Sequence, residues 1–257
     1  MKNILEFKNV NYFYQTKTDE IFALKNVDFQ IEPQQFVSLV GPSGCGKTTI
    51  LSLTAGLLKP SSGQIFLDGE NKIDTQKIGY MFQHDHLFEW RTVWKNITLG
   101  IEIQKPKNKD EKLAFAEELL KKYDLYNFKD QKPRQLSGGM RQRVALIRTL
   151  TLEPKILLLD EPFSALDFQT RLKVCDDVYE IIKTEKKTAI LVTHDISEAI
   201  SMSDKILVLS SRPASVKDEI YLNLEGKTPL KKREDHQFGG LFDKIWSELT
   251  NEKDKST

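Results

Sequence analysis

With 38 Lys and Arg against 37 Asp and Glu in 257 residues, the chain carries a formal net charge of +1. A composition of 39% hydrophobic and 29% charged residues is that of a globular protein, not of a disordered or fibrous one. Near-neutrality argues against coating nucleic acid by bulk electrostatics, and no apolar run approaches the ~20 residues of a membrane-spanning helix. Cys45 and Cys175 form neither a disulfide framework nor a zinc cluster, and MKNILEFKNV lacks the apolar stretch of a signal peptide. A soluble protein of a reducing compartment is expected.

The first forty residues read as strands. Val27, Phe29 and Ile31 alternate with Asp28, Gln30 and Glu32, the period of a half-buried antiparallel strand. Phe36 to Val40 is a short continuous apolar run, as in a central strand buried on both faces. The pattern turns helical from Lys47 to Leu58, and Lys59-Pro60-Ser61-Ser62-Gly63 stops it. Gln64–Leu67 with Asp68-Gly69 reads as a strand and tight turn. From His84 to Leu152 the chain is mostly helical, with helices expected over 110–123 and 137–152. Strands and helices then alternate: Ile156–Leu159, helix 167–185, Thr188–Val192, helix 196–202 and Lys205–Leu209. Such alternation predicts a parallel sheet covered on both faces. Residues 216–257 are expected to form a strand pair and a terminal amphipathic helix with Leu241, Ile245, Trp246 and Leu249 on its apolar face.

Gly41-Pro42-Ser43-Gly44-Cys45-Gly46-Lys47-Thr48 matches G-x-x-x-x-G-K-[ST] between a buried strand and a helix. Glycines let backbone N–H groups converge on a polyphosphate, and a helix N-terminus adds dipole and unpaired donors. Lys47 is then expected to neutralise β- and γ-phosphate charge, and the Thr48 hydroxyl to ligate Mg²⁺. Asp160 and Glu161 end an apolar strand, at the sheet edge where α/β proteins bind ligands. Asp160 suits the Mg²⁺ shell and Glu161 the general base that polarises water. His194 follows another strand at the same edge, placed to donate to a γ-phosphate and orient the water. Gln83 closes the run Ile78–Phe82 and suits contact with metal or water.

Leu136-Ser137-Gly138-Gly139-Met140 opens a second phosphate-binding helix start, roughly ninety residues beyond the first. A phosphate-loop kinase or small GTPase needs only one. Here the sequence resembles the ATP-binding cassette ATPases, whose signature is LSGGQ; Met140 replaces the Gln. The resemblance spans about residues 4–215, with the motifs in the family's order. It implies a phosphate-loop α/β fold: a mostly parallel central sheet, an N-terminal antiparallel β-subdomain and an inserted α-helical subdomain. One nucleotide-binding domain over 1–257 is expected, its core at about 1–83 and 153–215, the helical part at 84–152 and a tail at 216–257. By the same resemblance Gly41 to Thr49 is the Walker A loop and Gln83 the Q-loop glutamine. Ser137, Gly138 and Gly139 are the signature core, Asp160 and Glu161 the Walker B carboxylates, Asp167 the end of the D-loop (Ser164–Asp167), and His194 the switch histidine. Tyr14 fits the aromatic that stacks on adenine, with Tyr12 as alternative.

The resemblance further implies ATP hydrolysis with Mg²⁺ in a head-to-tail homodimer, each ATP closed by the partner's signature helix. Leu87–Ile97, Asp160–Arg171 and Thr193–Arg212 are similar to cassettes of nitrate/sulfonate/taurine-type bacterial importers. Such a chain works on the inner face of the cell membrane with transmembrane permease subunits and, indirectly, an extracytoplasmic solute-binding protein. Nitrate, sulfonates, taurine, bicarbonate and a vitamin precursor all fit as solutes. A cassette acting on nucleic acid would bring long coiled-coil insertions or two cassettes in one chain, and neither is present. A kinase would leave Leu136–Met140 unexplained.

Overall fold

The computed structural model describes residues 3–250; residues 1–2 and 251–257, the ends of the expected domain and tail, lie outside it. β1 (Leu5–Gln15) and β2 (Glu20–Ile31) pair antiparallel, with Leu5 opposite Ile31 and Phe7 opposite Phe29. Val27, Phe29 and Ile31 are buried and Asp28 and Gln30 exposed, as the alternation predicts. β3 (Phe36–Val40) leads through the glycine-rich loop into α1 (Lys47–Thr54). That helix stops short of the expected Leu58, because Gly56 turns into the left-handed region at φ +71°. β4 (Ser62–Leu67) then returns beside β1, completing a three-stranded sheet in the order β2-β1-β4.

β5 (Ile78–Met81) precedes four helices: α2 (Val93–Ile97), α3 (Leu99–Gln104), α4 (Lys109–Lys122) and α5 (Gly138–Leu150). The two expected helices of this stretch are α4 and α5. α2 and α3 are too short to show a helical period, and α2 depends on Thr92, whose side chain accepts the Lys95 N–H. β6 (Ile156–Asp160), α6 (Phe168–Thr184), β7 (Thr188–Val192), α7 (Ile196–Met202) and β8 (Lys205–Leu209) follow the expected alternation. The tail departs from expectation. Instead of a strand pair it contributes one strand, β9 (Val216–Tyr221), antiparallel to β8 with Ile206 opposite Ile220. The exposed edge of β8 supplies the backbone partners that a second tail strand would have offered. α8 (Pro229–Lys232) and α9 (Phe238–Thr250) close the described chain.

The large sheet has the order β5-β6-β7-β3-β8-β9, parallel except for β9. Its apolar runs are continuous because alternate residues serve two cores. Leu157, Leu159, Ala189 and Leu191 pack on one face with α5 and α6 residues such as Val144, Leu146, Val178 and Ile182. Ile156, Leu158, Ile190 and Val192 pack on the other with Ile50 and Leu51 of α1 and Phe7 and Phe29 of the small sheet. A third cluster joins Ile200 of α7, Ile206 of β8, Ile220 of β9 and Ile245 of α9. No helix among the described residues is long and apolar enough to cross a membrane.

Candidate functional site

Parallel register brings the sequence motifs to one edge. Leu39 and Asp160 both lie opposite Val192 of β7, so the loop after β3, the carboxylates ending β6 and the turn after β7 emerge side by side. Gly46, at φ +132°, delivers the loop into α1; a Cβ there would meet Leu24 Cδ2 at 2.9 Å and the Ala23 carbonyl at 3.1 Å. α1 has no side-chain cap, so its first-turn N–H groups face the loop as donors for an anion. Lys47 is nearly buried, and its Nζ donates to the carbonyls of Gly41 (2.8 Å) and Pro42 (2.9 Å). Its ammonium is therefore held over the loop.

Ser43, Gly44, Gly46, Lys47, Thr48, Thr49, Glu161 and His194 line one cleft of about 420 Å³. Glu161 has φ +46°, with its N–H donating to Val192 O at 2.9 Å; this turn swings its carboxylate clear of the strand. His194 Nδ1 lies 3.2 Å from Glu161 Oε2. A neutral ring that donates Nδ1–H to Glu161 carries a lone pair on Nε2. Such a ring donates to phosphate only on releasing Glu161. Tyr14 is exposed beside this cleft, and its hydroxyl and Thr49 Oγ1 are 3.0 Å apart; Tyr12 packs edge-on against it at 4.9 Å.

Asp160 sits half-buried at the end of β6. Tyr80 of the neighbouring β5 donates its hydroxyl to Asp160 Oδ2 at 3.0 Å. Burial pushes the Asp160 carboxyl up and Glu161 adds to this, while the Tyr80 hydrogen bond and Lys47 pull it down. Burial pushes the Tyr80 hydroxyl up as well, so it stays a neutral donor. Gln83 is not in the cleft lining: its Nε2 donates to Ser164 Oγ at 3.2 Å, and Ser164 in turn donates to the Glu161 carbonyl at 3.0 Å. Gly41, Pro42 and Cys45 do not line the cleft: the Cys45 N–H donates to the Pro42 carbonyl at 3.2 Å, and Cys45 is buried.

Ser137, Gly138, Gly139 and Asp167 gather elsewhere. With Ala165, Leu166 and Lys173 they line a second cleft of about 380 Å³ between α5 and α6. Ser137 caps α5 by accepting the Met140 N–H at 3.3 Å, and Asp167 caps α6 by accepting the Thr170 N–H at 3.0 Å. The Thr170 hydroxyl and backbone N–H groups hold the Asp167 carboxyl below its usual range. Gly139 permits the close helix approach, since a Cβ would meet Val174 Cγ2 at 2.8 Å. No residue lines both clefts. A larger cleft of about 440 Å³ around Lys205 and Glu219 contains none of the sequence-predicted residues.

Two features had no signal in the sequence. Tyr80 meets Asp160 only through the β5–β6 pairing. Asp85, two residues after Gln83, takes a forked hydrogen bond from Arg141 (2.8 and 3.2 Å), and Arg148 donates to the carbonyls of Asp85 and His86 (2.7 and 2.8 Å). Against the opposing pull of burial, Arg141 keeps the Asp85 carboxyl below its usual range. The segment after Gln83 is thereby clamped to α5, the helix that Ser137 caps.

A family model described as ABC transporter matches residues 24–164. The chain is 42% identical over 252 residues to the uncharacterized ABC transporter ATP-binding protein YtlC of Bacillus subtilis, covering 97% of this chain and 96% of that one. It is 38% identical to the nitrate import ATP-binding protein NrtD of Synechocystis, covering 98% and 97% of the two chains. The aliphatic sulfonates import ATP-binding protein SsuB of Bacillus thuringiensis is also 38% identical, covering 86% of each. Among solved structures, a dimeric post-hydrolysis state of the ATP-binding cassette MJ0796 bound to ADP and Pi is similar at TM-score 0.69 and 34% identity, covering 85% of this chain and 99% of that one.

Proposed function

Because this chain belongs to the ABC transporter family as an ATP-hydrolysing cassette, we propose that it works as a head-to-tail homodimer driving a membrane permease that imports a small solute. The observation that carries this reading is the separation of the two phosphate-binding helix starts into different clefts of one chain. Each cleft holds only one of the two helix starts. Stacking the Lys47 cleft of one copy on the Ser137 cleft of another supplies donors from both sides of the phosphates. We read 1–83 and 153–215 as the core of one domain, 84–152 as the lever that carries closure outward, and 216–257 as an appended tail. The exposed Trp90 and Ile103 offer that lever an apolar surface for a permease subunit. Equal identity to a nitrate and a sulfonate ATPase fits a chain that does not itself contact the solute. Work at the inner membrane face follows from this partnership.

The donor set suits Mg²⁺. Thr48 and Asp160 offer hard oxygens, Gln83 an amide oxygen, and no cluster of three or more His, Cys, Asp or Glu among the described residues competes for a metal. That is the pattern of an ion held by one carboxylate, a few neutral oxygens and the substrate phosphates. Bound there, the ion would offset phosphate charge. Lys47 and the loop N–H groups bind the β- and γ-phosphates, and Tyr14 stacks on adenine. Glu161 accepts a proton from the attacking water, and His194 orients Glu161 through their 3.2 Å contact. Tyr80 positions Asp160, so Tyr80→Phe is expected to raise the Mg²⁺ concentration for half-maximal turnover about tenfold. An unchanged Mg²⁺ titration would remove Tyr80 from this role.

The head-to-tail arrangement is tested by mixing two pools, one carrying Ser43→Cys and the other Ser137→Cys, with a short bifunctional maleimide. Native Cys45 and Cys175 are buried. Cross-linked pairs are expected in the mixture, with ATP, and in neither pool alone. Pairs within a single pool, or none in the mixture, would sink the arrangement.

A further inference from the structure

Behind the two clefts, a buried carboxylate joins segments that the motifs treat as separate. Glu198, in the first turn of α7, is 3% exposed, and its Oε2 accepts the Thr193 hydroxyl at 2.7 Å. Its Oε1 faces Arg171 of α6, with Nε at 3.9 Å. Arg171 Nη2 donates to the Leu166 carbonyl at 3.0 Å, and Nη1 lies 3.8 Å from Asp195 Oδ2. Asp195 closes the circuit: its N–H donates to Thr193 Oγ1 at 3.0 Å, and its carboxylate caps α7 through the Ser197 and Glu198 N–H groups. Leu166 and Asp167 line the Ser137 cleft, whereas Thr193 and Asp195 flank His194, whose ring meets Glu161 in the Lys47 cleft.

We propose that Arg171 and Glu198 are positioning residues that transmit the placement of the 165–167 loop at one cleft to His194 at the other cleft of the same chain. The proposal rests on the reading of the clefts as two half-sites. Three observations support it. A planar guanidinium alone reaches the Leu166 carbonyl and both carboxylates from one side chain. Arg171 Nε is buried without an acceptor in hydrogen-bond range, so the pair holds an unused donor that a small shift of the loop would bring onto Oε1. Burial also pushes the Glu198 carboxyl up and Asp195 adds to this, with Thr193, Arg171 and His194 opposing, so this buried group feels charges from both loops. When a second copy presses nucleotide against the Ser137 cleft, the loop carries the Leu166 carbonyl and Arg171 with it. The Thr193–Asp195 turn follows and sets His194 against Glu161.

A merely structural ion pair between α6 and α7 makes a different forecast, and a mutant cycle on the full chain separates the two. Arg171→Met and Glu198→Gln are each expected to lower kcat about tenfold while KM for ATP stays within about twofold. The double variant removes the buried charge along with its partner, so it is expected to regain the thermal stability lost in Arg171→Met. Its kcat should stay as low as in the singles. Recovery of kcat together with stability, or singles that change only the melting temperature, would overturn the proposal. The Ser43→Cys and Ser137→Cys cross-link tests the underlying half-site reading separately, because its absence from the mixture would refute that reading whatever the cycle shows.

Discussion

Glu161→Gln is expected to lower ATP turnover by about a hundredfold or more, the range for loss of a positioned general base, while ATP affinity stays within about twofold. The amide is isosteric with the carboxylate but has no lone pair basic enough to take a proton from water. Binding survives because Lys47, the loop N–H groups and the first turn of α1 do not depend on Glu161, whose own backbone is held by Val192 O. With hydrolysis blocked, the nucleotide remains as the contact between two copies. Light scattering should then show a shift from monomer to dimer on adding ATP, reversed when the nucleotide is removed. A wild-type rate would show that another group takes the proton. Lost turnover with a monomer at all ATP concentrations would instead leave the base in place and remove the ATP-bridged dimer.

Ser137→Arg should abolish turnover as completely, for a different reason. Ser137 faces a cleft bordered by Gly138, Gly139 and Leu166. An arginine there fills the space where the second copy's phosphates would dock and removes a hydroxyl from the site, a loss of about 10²-fold or more by analogy with a missing charge-stabilising donor. ATP binding to the isolated chain is expected to stay within about twofold, since no residue of the Lys47 cleft is touched. The substitution also removes the cap of α5, worth about 1 kcal/mol. Ser137→Ala removes the same cap without filling the cleft, so comparing its melting temperature with that of the unsubstituted chain isolates that cost. Weaker ATP binding to the monomer of Ser137→Arg would mean that the signature serves its own chain's site.

The motif-bearing turns were legible because their chemistry is local. A loop rich in glycine between a buried strand and an uncapped helix has few uses other than holding an anion, and the apolar runs before Gly41, Glu161 and Thr193 mark the strands that carry it. Parallel pairing then sends all three turns to one edge. The partners of Asp160 and Asp85 were not legible. Tyr80 lies eighty residues from Asp160, and Arg141 fifty-six from Asp85; neither pair leaves a pattern in spacing or periodicity. Likewise the single strand of the tail, where a pair was expected, reflects the free edge of β8, a property of the assembled sheet.

By itself the amino-acid sequence determined the order of strands and helices, the phosphate-binding loop, the paired carboxylates at Asp160 and Glu161 and the second helix start at Ser137. These are set by residue type over a few neighbouring positions, through backbone freedom, helix capping and alternate-face burial. Only the tertiary structure decided that the two phosphate-binding starts open into different clefts, that His194 faces Glu161, and that Arg171 and Glu198 lie between the two loops. Those relations depend on which strands pair and how α5, α6 and α7 pack on the sheet. Long-range burial governs that packing, and it joins side chains regardless of their distance along the chain.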